Sequence, residues 1–166
     1  MKTFIIAVAL AISTASVVAC SGSSPATPDT LAYGQVASEV SSAVQTHRAA
    51  SASFATQGDC IGERDRYDGH IAPLLERMRG LSGDMDACMD SMGHHPTPTL
   101  GDTCDAMRSE LTRHMAAACA SPNADAEASE ANTHADRMAA WAKTEHDRSD
   151  EIGGMIHGSG CQKATR

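Results

Sequence analysis

The chain has 166 residues, of which 21 are acidic and 13 basic, and its net charge of −8 makes nucleic acid and anionic lipid headgroups poor partners. Aromatic residues make up only 3% of it, so a core must be built largely from Ala, Met and Leu. Beyond a short N-terminal region, about 140 residues remain, enough for one domain with its own core.

The N-terminus carries one basic residue, Lys2, followed by an apolar run from Phe4 to Val18 that is short for a membrane span and ends in small residues. That pattern predicts a cleaved export signal over residues 1–19. Val17-Val18-Ala19-Cys20 resembles the lipobox of bacterial lipoproteins. The resemblance implies that Cys20 receives diacylglycerol through its sulfur, that the chain is anchored to a membrane of the cell envelope by acyl chains such as palmitate, and, from Ser21 rather than Asp after the Cys, that this is the outer membrane. It covers about twenty residues and does not extend into the mature domain. Ordinary signal-peptidase cleavage after Ala19, leaving Cys20 as a thiol, is the other reading of the same residues. Either cut removes Lys2 and no acidic residue, taking the net charge from −8 to −9. Ser21 to Pro28 is Ser/Gly/Pro-rich and cannot pack, so residues 20–29 read as a tether.

Beyond the tether, turn signals fall at Gly58-Asp59, at Gly93 to Pro98 and at Ser121-Pro122-Asn123. They delimit four segments of helical length, 30–57, 60–92, 99–120 and 124–157, rich in Ala, Glu, Arg and Met and lacking β-branched alternation. The first has an apolar stripe at Tyr33, Val36, Val40, Val44, His47 and Phe54. The second has Ile61, Tyr67, Ile71, Leu74, Met78, Met85, Met89 and Met92. The third has Leu100, Cys104, Met107, Leu111, Met115 and Ala118, and the fourth Ala131, Ala135, Met138, Trp141, Ile152 and Met155. This three-and-four spacing buries one helix face. Pro73 and three glycines make a kink or split in the second segment the expected departure. Short connections favour antiparallel neighbours, so the expectation is an all-α, up-down-up-down four-helix bundle over 30–158, with 159–166 as a tail.

In such a bundle, residues equally far from a turn share a height. Cys88 and Cys104 are each eight residues from Pro96, and Cys60 and Cys119 lie near the opposite end. Export permits disulfides, so the pairs Cys88–Cys104 and Cys60–Cys119 are expected. Lipidated Cys20 then leaves Cys161 unpaired. The chain has no CxxC, and the wide spacings suit staples better than metal ligation.

The sharpest functional spacing is a pair of Glu-x-x-x-His segments, Glu110 to His114 and Glu130 to His134, each on one helix face. They are symmetric about Pro122, so an antiparallel hairpin sets each Glu beside the other helix's His. His47 and His70 fall near the same height. Imidazole with carboxylate suits Zn, Ni, Fe or Cu(II), which makes His47, His70, Glu110, His114, Glu130 and His134 a candidate metal layer and a transition metal the one cofactor class suggested. The plain alternative is solvated Glu/His pairs beside buried, hydrogen-bonded imidazoles. Met85, Cys88, Met89 and Met92, followed by His94 and His95, form a second, Cu(I)-type candidate, although these Met side chains also lie on the burial stripe.

Metalloprotease HExxH, Gly-x-Ser-x-Gly, phosphate-binding Gly loops and CxxCH are all missing from the sequence. The expectation is therefore a non-enzymatic envelope lipoprotein whose bundle serves a structural or protein-interaction role with an envelope partner. The alternative is a lipoprotein that binds Cu, Zn or Ni.

Overall fold

The computed structural model describes residues 27–55, 60–120, 123–159 and 161, without the side chains of 51–55, 60, 61, 63 and 68. The export signal, Cys20 and most of the tether, the first interhelical turn, the side chains of Phe54 and Ile61, and the tail beyond 161 lie outside the described residues.

The fold is all-helical, with no strand among the described residues. Its helices are α1 (Thr30–Ala55), α2 (Cys60–Arg66), a π-helical turn (Tyr67–Ile71), α3 (Ala72–Ser91), α4 (Leu100–Ala120) and α5 (Ala124–Ser159). Local chemistry sets their starts. Asp29 accepts from the Ala32 amide at 2.8 Å, and Asn123 accepts from that of Ala126 at 3.0 Å. Thr99 and Asp102 exchange side chain for backbone in both directions, which is a capping box at the head of α4. Asp86 reaches across from α3 to accept from the amides of Leu100 and Gly101 at 3.0 and 2.9 Å. At the end of α3, Gly93 takes a φ of 77°, and the amides of Gly93 and His94 return to the carbonyls of Asp90 and Met89. That is the Schellman closure, and it needs a residue tolerant of the left-handed region.

The second expected segment is broken, not continuous. Pro73 has no N–H for the carbonyl of Gly69, and its ring crowds that carbonyl. The chain widens by one residue instead, and the Ala72 amide bonds to Tyr67 O in the i to i−5 pattern of a π turn. From Ile71 the buried seam runs Leu75, Met78, Ser82, Met85 and Met89, steps of four and three; Leu75 is fully buried where the sequence reading chose Leu74, which is half-buried. Ser82 keeps its place on the seam by donating to Arg79 O at 2.8 Å.

Helix α1 packs most extensively on α5, and it also meets α3; α3 meets α4, and α4 meets α5. The contacts run in opposite senses along the chain. Tyr33 meets Glu145 and Arg48 meets Asp136; Glu76 pairs with Arg108, and Arg79 with Asp105. Gly34 permits the closest approach of α1 to α5, since a Cβ there would strike Ser149 Oγ. The core is the set of stripes read from sequence, with Tyr33, Val36, Val40 and Val44 facing Met107, Leu111, Ala135 and Met138, each of them fully buried. Each large member contributes about 1.5–3 kcal/mol by leaving water. Trp141 is only half-buried, and the small Ala142 takes the inner position. No helix among the described residues is long and apolar enough to cross a membrane.

Cys88 and Cys104 depart from the height argument. Cys88 is bonded to Cys161, with Cα atoms 5.9 Å apart, and Cys104 is free and buried. Equal height across the α3–α4 hairpin does not set direction. Cys104 points at α1, its Sγ 3.8 Å from the Tyr33 hydroxyl, while Cys88 faces the end of α5. Cys161 is therefore a staple rather than the odd thiol. Cys119 is also disulfide-bonded; the side chain of Cys60, its expected partner, lies outside the described residues.

Candidate functional site: a buried histidine layer

Three helices send imidazoles into one level of the core. His47 comes from α1, His114 from α4 and His134 from α5; His114 and His134 are 0% exposed and His47 is 2% exposed. His47 Nε2 stands 3.4 Å from His114 Nε2, the rings meeting edge to face at 85°. His134 lies flat on His114, with ring centroids 4.1 Å apart and planes within 7°, and it meets His47 at 6.3 Å. His134 Nε2 is buried and makes no hydrogen bond. Buried polar atoms in folded proteins are nearly always satisfied, so such an atom calls for an explanation.

The two carboxylates occupy the outer side of the rings. Glu110 Oε1 is 3.5 Å from His134 Nδ1, and Glu130 Oε1 is 3.8 Å from His114 Nδ1, the cross-helix pairing that the symmetry about Pro122 predicts. Two arginines close over them. Arg113 donates Nε and Nη2 to Glu110 at 3.0 and 2.7 Å and pairs with Glu130 at 2.7 Å; Arg137 Nη1 reaches Glu110 Oε1 at 2.6 Å. The Glu110 carboxyl is lowered to about 2, first by the Arg113 hydrogen bonds and then by Arg137, against the opposing effect of burial. The same contacts push the Arg113 guanidinium up. His134 is lowered to about 3 by burial, then by the neighbouring His114 and His47, with Glu110 opposing. A neutral imidazole is the form that ligates metals.

Glu110 and Glu130 are therefore not placed as ligands. Each faces a ring's Nδ1 and is held by arginine, an arrangement that orients the imidazole and leaves Nε2 turned inward. His70 also departs from the sequence reading. It is exposed on the π turn and enters the site through a 190 Å³ cavity that it lines with Ala43, Thr46, His47, Arg66 and Ile71.

Sequence reasoning passed over Arg113 and Arg137. The Glu-x-x-Arg spacing at 110 and 113 was legible, but Glu63 and Arg66, and Glu76 and Arg79, share it, so the spacing does not select the buried case. A second buried polar group was also missed. Tyr33 donates to Glu145 Oε2 at 2.7 Å, Arg148 Nη1 donates to Glu145 Oε1 at 2.8 Å, and Arg148 Nη2 donates to Pro98 O at 3.1 Å. Burial pushes the adjacent Cys104 thiol up to about 11, so it is an unreactive thiol.

The Cu(I)-type candidate changes character. Cys88 is bonded to Cys161 and cannot act as a thiolate; Met85, Cys88 and Met89 are buried in the core and Met92 is partly buried. His94 and His95 stand exposed at a cavity of 390 Å³ that Met89 and Met155 also line, with His95 Nδ1 2.9 Å from Asp90.

Fold and site together define an all-helical protein whose core carries a three-imidazole layer backed by arginine-clamped carboxylates. In comparisons with known proteins, the chain matches no family, no curated protein and no solved structure.

Proposed function

We propose that this chain is a lipid-anchored protein of the bacterial cell envelope, its domain an up-down-up-down four-helix bundle, and that it binds one transition-metal ion through Nε2 of His47, His114 and His134. The observation that carries the reading is the buried His134 Nε2, without a hydrogen bond, beside two Nε2 atoms 3.4 Å apart. Two imidazole nitrogens on one tetrahedral zinc are separated by about 3.4 Å, so the His47 and His114 pair fits that spacing. The third ring does not yet fit. Among the described residues no three His, Cys, Asp or Glu side chains stand at metal-coordination geometry, because stacked parallel rings direct their lone pairs side by side and not at one point. Binding requires the His134 ring to rotate, with Glu110 following its Nδ1. Three nitrogen ligands would leave a fourth position open. All-imidazole ligation suits Zn, Cu(II), Ni or Co rather than Mg or Ca, which take oxygen.

The test is metal content. Protein purified without a histidine tag and dialysed against Zn(II) should retain one equivalent. His114→Ala and His134→Ala should each lower retention at least tenfold; unchanged content in both overturns the reading. A protein-interaction role has less support, because Leu31 is the one exposed large hydrophobic side chain among the described residues and docking surfaces are usually apolar patches.

The anchor rests on Val17-Val18-Ala19-Cys20 and the tether after it. Intact mass of the mature protein should exceed that of residues 20–166 by several hundred daltons, and Cys20→Ala should abolish the excess. A wild-type mass equal to the bare chain would overturn lipidation.

A further inference from the structure

A layer buried this deeply needs a route for its ion, and its two sides differ. Toward α4 and α5 it is covered by Arg113, which bridges Glu110 and Glu130 at 2.7 to 3.0 Å, and by Arg137, which reaches Glu110 at 2.6 Å. Toward α1 and the π turn there is the 190 Å³ cavity, with the buried His47 at its inner wall and the exposed His70 at its rim. The cavity lies where the helix is irregular. The residue inserted at Tyr67–Ile71 widens the turn, and both His70 and Ile71 line the space. Single π turns of this kind recur at functional sites.

Among the described residues that line it, His47 and His70 are the metal-ligating side chains. Capture of an ion at this cavity therefore depends on a coordinate bond to imidazole. His70 is the donor at the rim that can form one. The Thr46 hydroxyl, another lining group, already donates to Ser42 O at 3.1 Å.

We propose that this cavity is the loading port of the histidine layer and that His70 is its capture ligand for a divalent transition-metal ion. The step is ligand exchange without redox. An imidazole nitrogen of His70 displaces one water from the hydrated ion, and His47 Nε2 then displaces His70 as the ion moves inward. An imidazole donor makes the port selective, since Mg(II) and Ca(II) gain little from imidazole. The inference rests on the metal-binding reading above, and the experiment separates the two.

Metal-free full-length protein is mixed with Co(II) in a stopped-flow instrument and the ligand-field absorption is followed. Wild type and His70→Ala should both reach one equivalent, with the uptake rate constant at least tenfold lower in His70→Ala. Ala43→Phe, which fills the cavity from α1 and leaves His70 in place, should slow uptake to a similar degree at unchanged final content. Equal rates in wild type and both variants would overturn the port while leaving the metal site standing. Loss of the final equivalent in His70→Ala would make His70 a resident ligand and overturn its capture role. If wild type takes up no Co(II), both readings fall together.

Discussion

Replacing Cys161 by Ser is expected to lower stability by about 4 kcal/mol, one of the two largest effects foreseen for this protein. The bond to Cys88 joins residues 73 apart, so it closes a loop containing α4 and α5 and removes much of the freedom of the unfolded chain. Loop closure on that scale corresponds to about 4 kcal/mol in the chain-entropy account. Cys161 is the better position to change, because Cys88 is 3% exposed and a serine there would also bury a hydroxyl. Urea unfolding under non-reducing conditions should show a lower midpoint for Cys161→Ser, with a somewhat larger m value because the uncrosslinked unfolded chain exposes more surface. Coincident curves would mean that the bond is not formed in the folded protein.

Mild acid should destabilise the metal-free protein before its carboxylates titrate. His134 has a folded pKa of about 3 against an ordinary 6.5, because burial and two neighbouring imidazoles oppose its charge. Between those values the unfolded chain binds a proton that the native state does not, so stability rises with pH across the window. It is complete above about 6.5 and is lost as pH falls toward 3. Going from pH 7 to pH 4.5 should cost about 3 kcal/mol from this group. Glu110 acts in a lower window, since its stabilisation is complete above its ordinary 4.5 and lost as pH falls toward about 2. Urea midpoints at pH 7 and pH 4.5, with EDTA present, should therefore differ strongly in wild type and far less in His134→Leu. An equal drop in both would place the acid sensitivity elsewhere.

Much of the frame was legible before any coordinates. Four helical segments followed from the stripes and turn signals, and three of their starts coincide with side-chain caps at Asp29, Thr99 and Asn123. The pairing of Glu110 with His134 and of Glu130 with His114 was legible as well, because a short hairpin makes chain distance from the turn equal to height. Height, however, is one coordinate of three. It put Cys88 opposite Cys104, though their side chains point to different neighbours, and it grouped His70 with the layer, though a π turn carries it to the surface.

What the sequence by itself determined is therefore what depends on local chemistry and period: helix positions, buried stripes and a net negative charge. Rotation about each helix axis was decided only by the tertiary structure. That rotation turned His47, His114 and His134 inward, set Glu110 and Glu130 behind them under Arg113 and Arg137, and matched Cys88 with Cys161. The physical reason is that an imidazole on an apolar stripe has the same periodicity whether it packs alone or meets two others. Their convergence depends on the packing of several helices at once, which no single segment encodes.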